Sequence, residues 1–503
     1  MMAMGKSYSV GMVGFEGLVI EVEAYLGSGS AGVCLVGLPD ASLQESRDRI
    51  RAAVHNSGAA WPQGRVTLAL SPATVRKVGS VHDAALAVAV LAASGGLPAS
   101  SARRAVILGE LALDGRLRPV RGVLPAVLAA RKAGWSDVVV PEANLAEAGL
   151  VPGLRAHGAP SLRALCSWLR DERELPGPPE PLSAPQSQCP DLADVVGHEE
   201  ARFALEVAAA GAHHLMLTGP PGVGKTLLAS RLVGLLPQLT AEESLEVTAV
   251  HSLAGSLSEE SPVVLRPPFI APHHTTSVAA LVGGGVGTAA PGAVSKAHCG
   301  VLFLDECAEM GTRALEALRT PLEEGEVRIA RRDGVVRYPA RFQLVLACNP
   351  CPCAPSRDLD CVCPPQVRRR YLSKLSGPLM DRVDLRVRLR QVRAGMFESE
   401  RAESSETVRA RVLAARAMAR ERWQGHGWRT NAEVPGPALR QEFPLGKAAL
   451  RPVELALRQG VVSARGADRC LRVAWTLSDL AGKSSPTVDE VAQALSFRDR
   501  RAA

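Results

Sequence analysis

The sequence contains no apolar run reaching the roughly 18 residues that a membrane-spanning helix needs. Its first residues also lack a basic stretch followed by an apolar one, the mark of a secretory signal. The expected location is therefore the cytoplasm, with no membrane partner. Eleven cysteines, an odd number scattered over 503 residues, do not make a disulfide framework. No self-similarity recurs at solenoid periods. Lysine is scarce, 8 of the 58 basic residues against 50 arginines. GC-rich coding can produce that bias without any functional demand.

What is present is a chain too long for one core, so roughly two to four domains are expected. Apolar content of 47% is ordinary for a globular protein. The net charge of +7 is unevenly placed. Residues 171–365 hold 14 Arg/Lys against 24 Asp/Glu, whereas 366–430 hold 16 against 7. An acidic block followed by a basic one suggests an anionic partner. The competing reading is a solvated helix face, because Arg409, Arg411, Arg416, Arg420 and Arg422 are interleaved with alanines on a predicted helix.

Three blocks are visible. Residues 1–170 alternate short apolar strands with helical stretches. Residues 171–190 are rich in Pro and Ser and poor in apolar residues, which reads as a linker. A third block begins at Asp191, and from 396 to 503 the pattern is helical, with a Gly/Pro break near 435–446.

The third block carries the chemistry. Gly219-Pro220-Pro221-Gly222-Val223-Gly224-Lys225-Thr226 fits the phosphate-cradling P-loop, G-x-x-x-x-G-K-[ST]. A short apolar strand, Leu215–Thr218, precedes it and a helical pattern, Leu227–Leu236, follows. That order surrounds a phosphate with backbone N–H groups and a helix N-terminus. Lys225 is expected to reach the β- and γ-phosphates of ATP, and Thr226 to ligate Mg²⁺. The glycines are expected because side chains would block the backbone's approach. Val301–Leu304 reads as a strand of a buried parallel sheet, so the block is α/β. Asp305, at its end, would hold Mg²⁺ through water, and Glu306 would orient or deprotonate the attacking water. A further strand, Phe342–Ala347, leads to Asn349, placed to orient that water or simply to make an Asn-Pro turn.

Residues 266–298 are too irregular for one helix or strand. Residues 326–341 alternate about Asp333-Gly334, a hairpin signal. Arg328, Arg331, Arg332 and Arg337 on that hairpin suit gripping phosphates or plain solubility. Cys351-x-Cys353 and Cys361-x-Cys363 offer four thiolates for a tetrahedral Zn²⁺, with Cys348 as a substitute ligand; reduced structural thiols or a regulatory disulfide are the alternatives.

These motifs, with Ala271–Thr275 (APHHT), Asn349–Cys353 and Ser376–Asp384, resemble the ComM/YifB family of magnesium-chelatase-like AAA+ ATPases. The resemblance implies a P-loop AAA+ motor (191–395) with an inserted hairpin and a helical lid (396–503). It implies a hexameric ring with nucleotides between subunits, driving branch migration of DNA during recombination of transforming DNA. A protein-remodelling ATPase without DNA translocation is the alternative. Arg382 matches the arginine finger that reaches a neighbour's γ-phosphate, and Arg465 matches the lid arginine called sensor 2, with Arg469 as a substitute. The 1–170 block resembles an α+β Lon-protease-like domain of the ribosomal S5 domain 2 type. By that alignment Val81 and Leu124 replace the Ser–Lys dyad, so it is expected to be non-proteolytic. His82 and Asp83 are expected on opposite faces of a strand, so they cannot complete a triad.

Overall fold

The chain begins with two long antiparallel strands, Ala3–Val13 and Glu16–Gly27, joined through Gly14. They sit inside a seven-stranded sheet in the spatial order 32–36, 65–71, 16–27, 3–13, 106–107, 137–141, 155–159. The computed structural model describes residues 3–37, 40–73, 77–179, 189–257, 261–285, 289–331, 334–355, 360–391 and 402–498. Arg332 and Asp333 of the expected hairpin, residues 180–188 of the expected linker, and the expected 395/396 boundary lie outside the described residues.

Helix Asp83–Ala93 runs beneath this sheet with every residue buried. After Asp83 its sequence is alanine and aliphatic throughout, so no face can go to water. A Cβ at Gly5 would lie 2.2 Å from the Ala89 carbonyl, so only glycine permits this approach of strand to helix.

Val81 and the fully buried Leu124 belong to one apolar cluster with Val10, Val106, Leu108 and Val138. Hydrocarbon therefore fills the two positions compared with a dyad. His82 and Asp83 are not on a strand. The turn Ser80–His82 leads into helix Asp83–Ala93, and each side chain has its own partner. His82 Nδ1 is 2.9 Å from Ser9 Oγ, and Asp83 accepts from Ser46 and from Arg49 Nε at 2.8 Å. The two side chains thus diverge through a turn and a helix, not through the two faces of the expected strand.

The same cluster takes in Ala249 and, at its edge, Leu245 of helix Ala241–Ala254. Gly122 N donates to Ser252 O at 3.3 Å, closing that contact. The helix begins with a capping box between Thr240 and Glu243.

The second sheet has five strands, all parallel, in the order 269–270, 301–304, 343–348, 215–218, 385–388. Its central strands are buried on both faces, hence their predominantly apolar sequences. Helices Glu199–Gly211 and Lys225–Leu235 share one core cluster with helices of the 405–496 region. A fully buried Trp423, edge-on to Phe443 and Trp475, centres that helical region. Glu326–Arg331 and Gly334–Pro339 form a separate antiparallel ladder. Among the described residues no helix is long and apolar enough to cross a membrane.

Candidate nucleotide site

Sheet order positions this site. Strand Gln343–Cys348 lies between Leu215–Thr218 and Val301–Leu304, in parallel register with both. The residues leaving the C-terminal ends of these three strands therefore emerge side by side. They are the P-loop, Asp305-Glu306 and Asn349. Lys225 Nζ donates to Asn349 Oδ1 at 3.0 Å and to the carbonyls of Gly219 and Pro220 at 2.7 and 2.8 Å. Burial lowers the pKa of this ammonium, opposed by Asp305 and Glu306 nearby. Thr226 Oγ1 donates to Asp305 Oδ2 at 2.7 Å, and Asp305 Oδ1 accepts from Glu306 N at 2.8 Å.

The glycines act through conformation as much as through space. Gly222 and Gly224 have φ of 72° and 96°, and a Cβ on Gly222 would meet nothing within 4 Å. Gly219 is different, because a Cβ there would lie 2.9 Å from the Leu389 carbonyl. Helix Lys225–Leu235 starts without a side-chain cap, leaving its first-turn N–H groups for an anion. Thr226 and Asp305 offer a hydroxyl and a carboxylate side by side, the hard oxygens Mg²⁺ prefers.

Two histidines that sequence reasoning did not assign belong to this site. His274 Nδ1 is 3.1 Å from Glu306 Oε2. It follows strand Phe269–Ile270, which pairs with Val301–Leu302 beside the acidic turn. Glu306 itself sits in the left-handed region at φ 47°. His198 hydrogen-bonds the Val223 backbone, and burial lowers its pKa. No periodicity marks either residue; the His273-His274 pair inside an irregular stretch was the only hint.

The remaining expected residues are dispersed. Arg382 is buried away from the P-loop of its own chain, bonded to Glu323 and, at 2.5 Å, to the Pro378 carbonyl. Arg465 is exposed on the first turn of helix Ala464–Leu480. Arg469, its suggested substitute, is committed elsewhere: its Nη1 is 2.6 Å from Asp384 Oδ1. Burial alone would raise the Asp384 pKa, but Arg469, with His213 and His214, holds it well below the usual carboxylate range.

The four cysteines 351, 353, 361 and 363 do converge, with all four sulfurs within 4.8 Å of one another. Cys351 lies 3.4 Å from both Cys353 and Cys361, and Cys353–Cys361 is 3.7 Å. A tetrahedral Zn–S₄ site with bonds of ~2.3 Å has sulfur separations of about 3.8 Å. The donor set therefore fits zinc. Cys348 is not part of this cluster; it points to Thr218 Oγ1 at 3.9 Å, on the phosphate side. On the hairpin, Arg328 pairs with Glu324 and Glu326, and Arg337 lies 3.8 Å from Glu326. Arg331 donates to Gly285 O at 2.7 Å.

Known proteins agree with this architecture. Residues 191–397 match the family model described as magnesium chelatase, subunit ChlI. Residues 22–144 match subunit ChlI of Mg-chelatase, and 402–498 match the C-terminal part of that subunit. An uncharacterised protein of Mycobacterium tuberculosis is 62% identical over 99% of each chain. The uncharacterised protein YifB of Escherichia coli is 39% identical over 95% of this chain and 94% of its own. The competence protein ComM of Haemophilus influenzae is 38% identical over 99% of this chain and 98% of its own. The chain belongs to the ComM/YifB family of magnesium-chelatase-like AAA+ ATPases.

Proposed function

We propose that this protein is an ATP-driven DNA motor of the cytoplasm, working as a hexameric ring that drives branch migration when incoming DNA is recombined. The observation that carries the ATP half is the convergence of Lys225, Thr226, Asp305, Glu306 and Asn349 at one end of a parallel sheet. Residues 219–226 would hold the phosphates of ATP, with Thr226 and Asp305 holding Mg²⁺. The metal supplies charge neutralisation of the phosphoryl group being transferred. Glu306 orients or deprotonates water, Asn349 helps align it, and Lys225 holds charge where it develops.

Arg382 lies outside its own nucleotide site, which supports an arginine finger serving a neighbouring subunit. Arg465, exposed at the start of a C-terminal helix, acts as the lid arginine. The division into a Lon-related, non-proteolytic domain (1–170), a linker (171–190), a motor (191–395) and a lid (396–503) is supported by the apolar cluster at Val81 and Leu124 and by the family-model spans. The four-cysteine cluster binds one zinc. The DNA half rests on the relative named for competence, with Arg328, Arg331, Arg332 and Arg337 as proposed hairpin contacts.

The pairing of Arg328 and Arg337 with acidic neighbours favours a second reading, a protein-remodelling ATPase that does not translocate on DNA. Branch migration of a synthetic three-strand junction separates the two. The protein should move the junction with ATP and Mg²⁺, and Lys225→Ala should not. ATP turnover without junction movement would select the remodelling ATPase.

A further inference from the structure

Part of the basic charge between 366 and 430 is already engaged inside the molecule. Arg411 pairs with Glu206 and Glu403, Arg422 pairs with Asp479, and Arg416 donates to the Ala209 carbonyl at the end of a helix. One run differs. Arg368, Arg369 and Arg370 lie on helix Pro365–Leu372, all three are exposed, and their guanidinium groups have no acidic or carbonyl partner among the described residues. Successive helix positions point ~100° apart, so the three fan across the solvent side. Val362, 84% exposed, stands just before them.

The opposite edge of this helix reaches the nucleotide site. Tyr371 is buried in the apolar cluster that holds Cys307 and Cys348, neighbours of Glu306 and Asn349. Lys374 Nζ lies 3.1 Å from Glu309 Oε2, three residues beyond Glu306. Pro364 and Pro365 tie the start of the helix rigidly to Cys363 and its sulfur cluster.

We infer that Arg368, Arg369 and Arg370 form a nucleic-acid phosphate-binding surface, and that helix Pro365–Leu372 transmits its occupancy to the nucleotide site. Three adjacent like charges without partners repel one another until an anion arrives. Guanidinium forks suit phosphate oxygens, and a polynucleotide presents them as a repeating row. The exposed valine adds an apolar contact that unstacked bases can use. The binding half stands without the ATPase reading; the transmission half rests on it.

The test uses the full chain carrying Arg368→Gln, Arg369→Gln and Arg370→Gln together, with a fluorescent single-stranded oligonucleotide as probe. Binding is measured across salt concentrations without ATP, so failure of the ATPase reading would leave it interpretable. The slope of log affinity against log salt should flatten by about 2, at ~0.7 per lost phosphate contact. DNA stimulation of ATP turnover should vanish while basal turnover is kept, which also shows that the variant is folded. The triple Arg→Lys variant should retain most of the slope. An unchanged slope would overturn the proposal. So would displacement of the probe by polyglutamate as readily as by an unlabelled polynucleotide, which would assign the surface to an acidic protein. A loss of basal turnover in a folded variant would assign the arginines to a neighbour's nucleotide instead.

Discussion

In the proposed mechanism, Glu306 is the residue on which hydrolysis turns. It is held at a left-handed φ by the turn after strand Val301–Leu304 and touched by His274. Replacing its carboxylate by an amide keeps size and hydrogen bonding but removes the proposed base. Glu306→Gln should bind ATP with parental affinity and lose turnover by ~10²–10⁴-fold, the range typical of a general base. Nucleotide binding by fluorescence, beside phosphate release, checks both halves. Asp384 works structurally at the same scale. It is 1% exposed, and it fastens Arg469 of helix Ala464–Leu480 to the motor sheet while accepting from His214 N at 3.0 Å. Its pKa is depressed in the folded state, so its stabilisation is present at neutral pH and lost as acid protonates it. Asp384→Asn should destabilise by about 3 kcal/mol, the low end for breaking a buried pair, because the partly buried Arg469 loses its charge partner. Thermal melts of variant and parent at neutral pH should show that gap, and the gap should shrink at low pH.

Elements differ in how far the sequence betrayed them. Leu215–Thr218 and Val301–Leu304 were read to the residue, because a strand buried on both faces must be apolar throughout. The strand expected at 342–347 is found at 343–348, displaced by one position. The P-loop, the acidic pair and the sulfur cluster were legible because their spacing is their chemistry. The 266–298 stretch was opaque, since its strands are only two residues long, and one of them, Phe269–Ile270, pairs outside the stretch with Val301–Leu302. Neither reading of the arginine-rich helix Ser405–Arg422 fits Arg411, Arg416 or Arg422. Their partners Glu206, Ala209 and Asp479 lie 205, 207 and 57 residues away, beyond any local pattern. For the sulfur cluster, metal analysis of the purified chain should find about one zinc, if four thiolates close one tetrahedral site. Removal of the metal should loosen helix Pro365–Leu372, read as faster amide exchange there. Folded, active protein free of zinc would eliminate this assignment.

At the scale of the whole molecule, the N-terminal sheet and the motor share an apolar cluster through helix Ala241–Ala254, and the C-terminal helices share the motor's core. The regions of the chain are thus joined by shared cores, while Arg382 is bonded to Glu323 and the Pro378 carbonyl rather than to its own phosphate site. If it serves a neighbour, mixed assemblies of Arg382→Ala and Lys225→Ala subunits should regain part of the activity that neither variant has alone. Mixtures shown to co-assemble but wholly inactive would count against sharing between subunits. The proposed function joins one ATP site to one DNA substrate. Its most direct test is steady-state ATP turnover by the intact protein, with Mg²⁺ and rising concentrations of branched DNA. The account predicts Mg²⁺-dependent turnover that increases with branched DNA and saturates, and that Glu306→Gln abolishes. Turnover indifferent to DNA at every concentration, or none at all, would contradict it.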